Sequence, residues 1–296
     1  MPRFNSPVDG AQLFYRDYKP TTPTQQPALL FIHGWPYSSL MFEQLLIPLC
    51  QAHGTRCIAP DRRGFGNSDW DGPGDAAAGI DYQTFADDTA HLVQSLATGP
   101  FVVVASSMGP GESVLAYQSS QYFRDNCNGF IWLAPSLPCA AQSADNPHAP
   151  PETVWASIRD GFGVSRGDFT HAALPGALVG ETNASQLSVK TLERYEYIVG
   201  QADPLAIQRC VGSISETGFR GKLHRLAEGS AVPILCIHGT DDAGMPYEVS
   251  TKLVREIVPR VEVKLYEGAA HGLQVLHRDR LLEDILGFVR ERVVIA

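Results

Sequence analysis

Ser107 has the sequence surroundings of a nucleophilic serine at a sharp turn between a strand and a helix. A short apolar run, residues 101–104, precedes it, and small residues, Ala105 and Gly109, stand two positions away on each side. Bulk at these two positions would collide in such a turn. Ser107 is therefore the candidate nucleophile, and the chemistry that it predicts is acyl transfer through a covalent intermediate.

The neighbouring Ser106 does not meet this requirement, because the positions two residues before and after it hold Val104 and Met108. At the start of a helix, the Ser107 hydroxyl would lie beside free backbone N–H groups and the positive end of the helix dipole, which both stabilise an oxyanion. The alternative interpretation is that Ser107 only caps the helix. The rest of the chain must decide between the two.

A serine nucleophile needs a general base, and the base needs an acid to orient it. His271 is the candidate base, because it lies in a glycine-containing turn after the predicted strand of residues 261–266. Asp241 and Asp242 follow another predicted strand, and either carboxylate can accept the second N–H of an imidazole. We favour Asp242. The order Ser, Asp, His along the chain is the one expected for this kind of turn.

These residues also have plainer interpretations. His271 can cap a helix, and the two aspartates can be solvated turn residues. The chain has nine histidines, and two of the others, His33 and His238, lie in His-Gly turns where a structural hydrogen bond is the expected role.

Two backbone N–H groups are predicted to form an oxyanion hole. One belongs to Met108, the residue after the nucleophile, and the other comes from the loop after the strand that contains Phe31. Trp35 is the candidate in that loop, because Gly34 gives the backbone its freedom and Pro36 has no N–H to donate.

The predicted elements explain how these residues can meet. Apolar runs alternate with helical periodicity, as expected of a parallel sheet with helices on both faces. Strands are predicted at residues 11–16, 28–32, 55–59, 101–104, 129–133, 232–237 and 261–266, helices at 38–50, 82–96, 247–257 and 278–292, and a loop at 70–79. Loops after parallel strands gather at one edge of the sheet, where binding sites form.

The alternation of predicted strands and helices is interrupted after residue 133. Residues 134–227 begin with several prolines and contain short helical patterns, including 152–162 and 188–199. We predict a core of residues 1–133 and 228–296, with residues 134–227 inserted as a helical cap over the carboxyl edge of the sheet.

Composition narrows the class of protein. The chain has 296 residues, of which 44% are hydrophobic and 19% charged, as in soluble globular proteins. A net charge of -9 argues against nucleic acid or an anionic membrane as a partner. The polar residues 1–6 lack the apolar core of a signal peptide, so we expect a cytoplasmic protein. The six cysteines contain no CxxC pair and indicate no zinc site.

Six short motifs are spread over most of the chain. They are residues 31–36 (FIHGWP), 61–68 (DRRGFGNS), 82–88 (YQTFADD), 107–109 (SMG), 238–246 (HGTDDAGMP) and 268–272 (GAAHG). As a set they resemble the α/β-hydrolase superfamily, and within it the cofactor-free (non-haem) haloperoxidase, aryl-esterase and perhydrolase branch. The resemblance implies an eight-stranded, mostly parallel sheet with a helical cap, a Ser-His-Asp triad, and no metal or organic cofactor. The family spacing around residues 238–246 falls on Asp242 and strengthens its assignment.

Two positions depart from the family pattern, which usually has glycine where this chain has Ala105 and Pro110. Ala105 is small enough for the turn. Pro110 lies near the first turn of the helix, where a missing N–H costs little. These differences bear on the fit of a substrate behind Ser107.

We expect a serine hydrolase that acts on a carboxylic ester or lactone through an acyl-enzyme on Ser107. Perhydrolase or haloperoxidase activity would be a side reaction in which hydrogen peroxide replaces water. A pocket lined by Trp35, Tyr37, Phe65, Trp132 and residues of the cap would favour a medium-sized hydrophobic substrate. Apart from Trp35, these side chains can equally belong to the hydrophobic core.

Other functions stay open at this point. The same triad can serve C–C bond cleavage or lyase chemistry, because a fold does not fix a reaction. A ligand-binding receptor on the hydrolase fold is the non-enzymatic alternative, and its usual mark would be a broken triad. Dehalogenases and epoxide hydrolases of this fold use Asp where this chain has Ser107. The sequence does not decide whether the protein is a homo-oligomer.

Overall fold

Short apolar segments of the chain pair into one eight-stranded sheet. The computed structural model describes residues 2–73 and 80–293, so residues 74–79 of the predicted loop lie outside the described residues. The strands are β1 (Arg3–Asn5), β2 (Gln12–Tyr18), β3 (Ala28–Ile32), β4 (Cys57–Pro60), β5 (Phe101–Ser106), β6 (Cys127–Leu133), β7 (Ile234–Gly239) and β8 (Glu262–Tyr266). Every residue of β3, β5 and β7 is buried, as expected of continuous apolar runs inside a parallel sheet.

The sheet has the strand order β1-β2-β4-β3-β5-β6-β7-β8. The pairs β1–β2 and β2–β4 are antiparallel, and all other pairs are parallel, which confirms the predicted architecture. The central strands end level with one another, because Ile32 pairs with Ala105 and Leu133 pairs with both Ser106 and Ile237. The loops after β3, β5, β6 and β7 therefore leave the sheet at the same edge.

Helices cover both faces of the sheet. Those outside the region between β6 and β7 are α1 (Glu43–Gln51), α2 (Tyr82–Ser95), α3 (Gly109–Ser119), α4 (Gln121–Asn126), α10 (Thr251–Ile257), α11 (Leu273–Leu276) and α12 (Arg278–Arg292). Successive strand residues point to opposite faces, so Val103 and Trp132 belong to one hydrophobic core whereas Val102 and Val104 belong to the other.

Five α-helices stand between β6 and β7. They are α5 (Glu152–Val164), α6 (Arg166–Val179), α7 (Val189–Gly200), α8 (Pro204–Glu216) and α9 (Arg220–Gly229). We call residues 134–227 the cap segment. The helices α5 and α7 confirm the patterns predicted at 152–162 and 188–199. The sequence did not place α6, and a physical reason is the proline inside it, Pro175, which usually ends a helical pattern.

That the cap segment is a unit separate from the core stays a prediction. Its predicted boundary at residue 227 lies inside α9, which runs on to Gly229. Within the part of the chain that the structure describes, no helix has the length and hydrophobicity required to cross a bilayer.

Candidate active site

The turn between β5 and α3 is tight at Ser107. This residue has a φ of 58°, in the left-handed region that non-glycine residues rarely adopt. Its backbone N–H donates to the carbonyl of Leu133 at 2.9 Å, and its carbonyl accepts from the N–H of Ser136 at 2.8 Å. A Cβ at Gly109 would lie 2.7 Å from the carbonyl oxygen of Ile32, so bulk here would separate α3 from β3. The surrounding chain therefore holds the strained conformation in place.

The Ser107 hydroxyl has one hydrogen-bond contact among the described residues, with Ser136 Oγ at 3.4 Å. Ser136 is buried and follows the end of β6, the strand beside β5. Sequence reasoning did not find Ser136. The signal that could have found it is its position after a strand end at the edge where Ser107 lies.

Asp242 and His271 are joined by a hydrogen bond. The distance from His271 Nδ1 to Asp242 Oδ2 is 2.7 Å, and the other carboxylate oxygen of Asp242 accepts from the N–H of Met245 at 2.9 Å. Asp242 is buried, whereas Asp241 is exposed and accepts a hydrogen bond from the hydroxyl of Thr240. The geometry thus distinguishes the two aspartates. Because Nδ1 is engaged, Nε2 is the ring nitrogen left for a proton transfer.

Charge shifts the pKa values of this pair in opposite directions. Burial raises the pKa of Asp242, but the charge of His271 and hydrogen bonds from His238 and His271 outweigh it and hold that pKa below its usual range. Burial lowers the pKa of His271, but the Asp242 carboxylate outweighs it and raises that pKa above its ordinary value. The pair therefore favours a charged carboxylate and stabilises the imidazolium that a general base becomes.

His238 supports the loop that carries Asp242. Its Nε2 lies 2.8 Å from the carbonyl of Met245 and 3.4 Å from Asp242 Oδ2, and its Nδ1 lies 2.9 Å from Thr251 Oγ1. This agrees with the structural role expected of a His-Gly turn.

Two backbone N–H groups near Ser107 have no hydrogen-bond partner among the residues that the structure describes. Within the described residues, the N–H groups of Trp35 and Met108 donate no hydrogen bond. Met108 immediately precedes α3. The loop that carries Trp35 packs against the turn so closely that a Cβ at Gly34 would lie 3.0 Å from Ser107 Cβ. The arrangement offers two free donors beside one serine.

Ser107 and His271 open into one cavity of about 200 Å³. Trp35 and Tyr37 also line it, as predicted. The other lining residues are mostly apolar side chains of the cap segment and the loop after β7: Pro36, Ser136, Trp155, Ile158, Phe162, Phe169, Thr170, Ala173, Leu174, Ala177, Val199, Ile214, Gly244 and Met245. The sequence did not identify the cap residues, although the helical pattern at 152–162 contains three of them.

Two predicted substrate-binding residues are not in this cavity. Phe65 and Trp132 are fully buried in the hydrophobic core on one face of the sheet, and neither lines the cavity. Trp132 shares its strand face with Phe130, with ring centroids 5.6 Å apart, and the ring of Phe65 packs against His33 at 5.7 Å. The structure therefore corrects this expectation: both side chains point into the helix-covered core and not toward the strand ends.

The family described as having the alpha/beta hydrolase fold matches residues 27–278. A non-heme chloroperoxidase from Kitasatospora aureofaciens is 28% identical over 96% of this chain and 98% of its own length. A bifunctional esterase/perhydrolase from Acinetobacter calcoaceticus is 30% identical over 95% of this chain and 97% of its own length.

The comparison with a solved structure agrees with the sequence comparisons. The crystal structure of a bromoperoxidase from Bacillus anthracis superposes with a TM-score of 0.85 at 28% identity and covers 98% of this chain and 99% of that one. These matches confirm the resemblance to the non-haem haloperoxidase and esterase/perhydrolase branch. The chain is therefore a hydrolase that belongs to the α/β-hydrolase family.

Proposed function

We propose that the protein hydrolyses carboxylic esters or lactones with hydrophobic acyl groups, through an acyl-enzyme on Ser107. The observation that carries the proposal is the 2.7 Å contact between His271 Nδ1 and Asp242 Oδ2, with His271 and Ser107 opening into the same cavity. A base oriented by an acid, in the same cavity as a serine on a strained turn, supports nucleophilic catalysis by that serine.

The proposed reaction begins when Ser107 Oγ attacks the substrate carbonyl carbon while His271 Nε2 takes the hydroxyl proton. Asp242 stabilises the imidazolium. The tetrahedral oxyanion accepts hydrogen bonds from the N–H groups of Trp35 and Met108, and removal of one such donor typically raises a barrier by roughly 3 kcal/mol. His271 protonates the departing alkoxide, and water activated by the same imidazole then releases the acid and restores Ser107.

The cavity favours neutral, apolar substrates. Among the described residues that line it, His271 is the one acidic or basic side chain. Burial raises the pKa of the Tyr37 hydroxyl, which therefore stays uncharged. A substrate that also carries a free carboxylate would lose the hydration of that charge in the cavity without gaining an ion pair. This desolvation is costly in free energy.

Hydrogen peroxide is expected to compete with water in the second step. Its attack on the acyl-enzyme would release a peroxycarboxylic acid and regenerate the Ser107 hydroxyl, with no change in the rest of the scheme. The 30% identity to an esterase/perhydrolase supports this side reaction. Oxidation of a halide by the released peracid would then need no further protein group.

The test is a panel of p-nitrophenyl esters and lactones of graded size, assayed with wild type, Ser107→Ala and Ser106→Ala. We expect Ser107→Ala to lower kcat by roughly 10⁴-fold or more, as removal of such nucleophiles does elsewhere. Ser106→Ala, which removes the neighbouring hydroxyl at the end of β5, should keep most of the activity. Hydrolysis at the wild-type rate by Ser107→Ala would refute the proposal. Turnover of a C–C bond substrate but of no ester would instead favour the alternative use of the triad.

A further inference from the structure

A buried arginine connects the two parts of the chain that carry the proposed oxyanion donors. The guanidinium of Arg62 donates from Nε to Glu112 Oε2 at 2.7 Å and from Nη2 to the carbonyl of His33 at 2.8 Å. His33 belongs to the loop after β3, and Glu112 lies in the first turn of α3. All three residues are buried, and Thr89 Oγ1 donates to the second oxygen of Glu112 at 2.6 Å.

Arg62 also determines which nitrogen of His33 carries the proton. The backbone N–H of Arg62 lies 2.8 Å from His33 Nε2 and can only donate, so Nε2 must be the acceptor. Burial and the charge of Arg62 lower the pKa of His33, which keeps the ring neutral with its hydrogen on Nδ1. Nδ1 then donates to the carbonyl of Gly34 at 2.8 Å.

The carbonyl of Gly34 and the N–H of Trp35 belong to the same peptide group. In a planar trans peptide these two groups point in opposite directions. The Gly34 carbonyl accepts from His33 and also from the Tyr37 N–H, at 3.1 Å, and these hydrogen bonds therefore fix the direction of the Trp35 N–H, which is one of the two free donors.

The other free donor, the Met108 N–H, precedes the helix turn that Arg62 binds. Within that turn, the carbonyl of Met108 accepts from the N–H groups of Gly111 and Glu112 at 3.1 and 3.5 Å. The carboxylate of Glu112 is in turn held by Arg62. One guanidinium thus contacts His33, two residues before Trp35, and Glu112, four residues after Met108.

We propose that Arg62 is a positioning residue of the oxyanion hole, which fixes the Trp35 and Met108 N–H groups relative to each other through His33 and Glu112. The inference rests on the proposed function, because an oxyanion forms only when Ser107 attacks a carbonyl.

The adjacent Arg63 offers a matched control. It is equally buried and ion-paired, but it binds Asp9 near the amino terminus, at 2.8 Å, and Asp88 on α2. None of the contacts of Arg63 in the described residues reaches the loop after β3 or α3. Loss of Arg63 should therefore reproduce the stability cost of breaking a buried ion pair without disturbing the donors.

The experiment compares Arg62→Lys with Arg63→Lys, since lysine keeps the charge but lacks the fork that spans two acceptors. Both variants should unfold at lower temperature. Arg62→Lys alone should lose roughly 10-fold to 100-fold in kcat with an unchanged KM, and its affinity for an alkylboronic acid, a transition-state analogue, should fall by the same factor. An equal loss of kcat in Arg63→Lys would overturn the inference.

A second variant separates positioning from stability. The double substitution Arg62→Met with Glu112→Leu removes both charges, and replacing a buried pair by apolar side chains is often neutral for stability. It should unfold at a higher temperature than a variant that leaves one of the two charges buried and unpaired, such as Arg62→Met alone, and still show the low kcat. Wild-type kcat in this variant would overturn the inference.

Failure of the proposed function would look different, because wild type itself would neither turn over esters nor bind the boronic acid. In that event, crystal structures of wild type and the double variant decide: the inference requires the Gly34–Trp35 peptide to reorient, and an unchanged peptide overturns it.

Discussion

The two sides of the active-site cavity are built by different physical means. On the sheet side, the groups proposed for chemistry are held by short directional hydrogen bonds, such as the 2.7 Å contact between His271 and Asp242. On the cap side, the wall consists mainly of aromatic and aliphatic side chains in nonpolar contact. The rings of Phe162 and Trp35 lie 5.2 Å apart, and those of Phe162 and Phe169 lie 4.8 Å apart.

This difference indicates which substitutions should abolish the reaction and which should change the range of substrates. Directional contacts fix the orientation of reacting atoms, so a small error on the sheet side should abolish the reaction. Nonpolar packing is non-directional, so a substitution on the cap side should mainly change which substrates fit. Polar contacts also join the two sides, among them the hydrogen bond from Trp35 Nε1 to the carbonyl of Ile207 at 3.2 Å and the one from the Gly272 N–H to the carbonyl of Leu178 at 3.1 Å. The following predictions test this division.

The largest loss of kcat is expected from Asp242→Asn on the sheet side. The amide cannot hold the imidazole in the required tautomer, and kcat should fall by roughly 10⁴-fold. Asp241→Asn is the matched control, because that neighbouring carboxylate is exposed and should leave kcat within a few-fold of wild type. Steady-state kinetics with a p-nitrophenyl ester measure both. The reverse pattern would mean that the exposed aspartate orients the base.

A smaller loss of kcat/KM, limited to substrates with long acyl chains, is expected from Ala173→Trp on the cap side. Ala173 lines the cavity, whereas the adjacent Ala172 does not. The added bulk should lower kcat/KM for a decanoyl ester by roughly 10-fold to 200-fold, the range in which a pocket discriminates by shape, and leave an acetyl ester nearly unchanged. Ala172→Trp serves as the control. Equal losses on both esters would show that the cap side also controls the chemistry.

The smallest effect is a shift in pH dependence. The base must be neutral, and Asp242 raises the pKa of His271, so kcat/KM should rise with pH through a midpoint above the ordinary value of 6.5. In Asp242→Asn the raising charge is gone, and the midpoint of the residual activity should move to lower pH. A midpoint that stays in place would show that Asp242 does not control the base.

The sheet side was largely predictable from the sequence because its signals are local. Ser107 has small residues around it, and His271 lies in a glycine-containing turn. Each follows an apolar run that is typical of a buried strand. The choice between Asp241 and Asp242 could not be made from their neighbours alone, because adjacent residues differ in burial only after folding. The contact from Arg62 to Glu112 joins positions 50 residues apart and has no local signal.

The cap side was poorly predictable for a different reason. Aromatic residues have the same sequence signature in a core and in a pocket, and so Phe65 and Trp132 were placed in the cavity while Trp155 and Phe162 were missed. Which aromatic side chain faces the cavity depends on how α5 and α6 pack over the strand ends. That packing is a tertiary property.

The most direct test of the central claim is labelling with a fluorophosphonate followed by peptide mass spectrometry. The account predicts one phosphonate per chain, bonded to Ser107, and labelling that is at least 100-fold slower in His271→Ala because the general base is missing. A label on any other residue, or no label on folded wild-type protein, would contradict the assignment of Ser107 as the nucleophile.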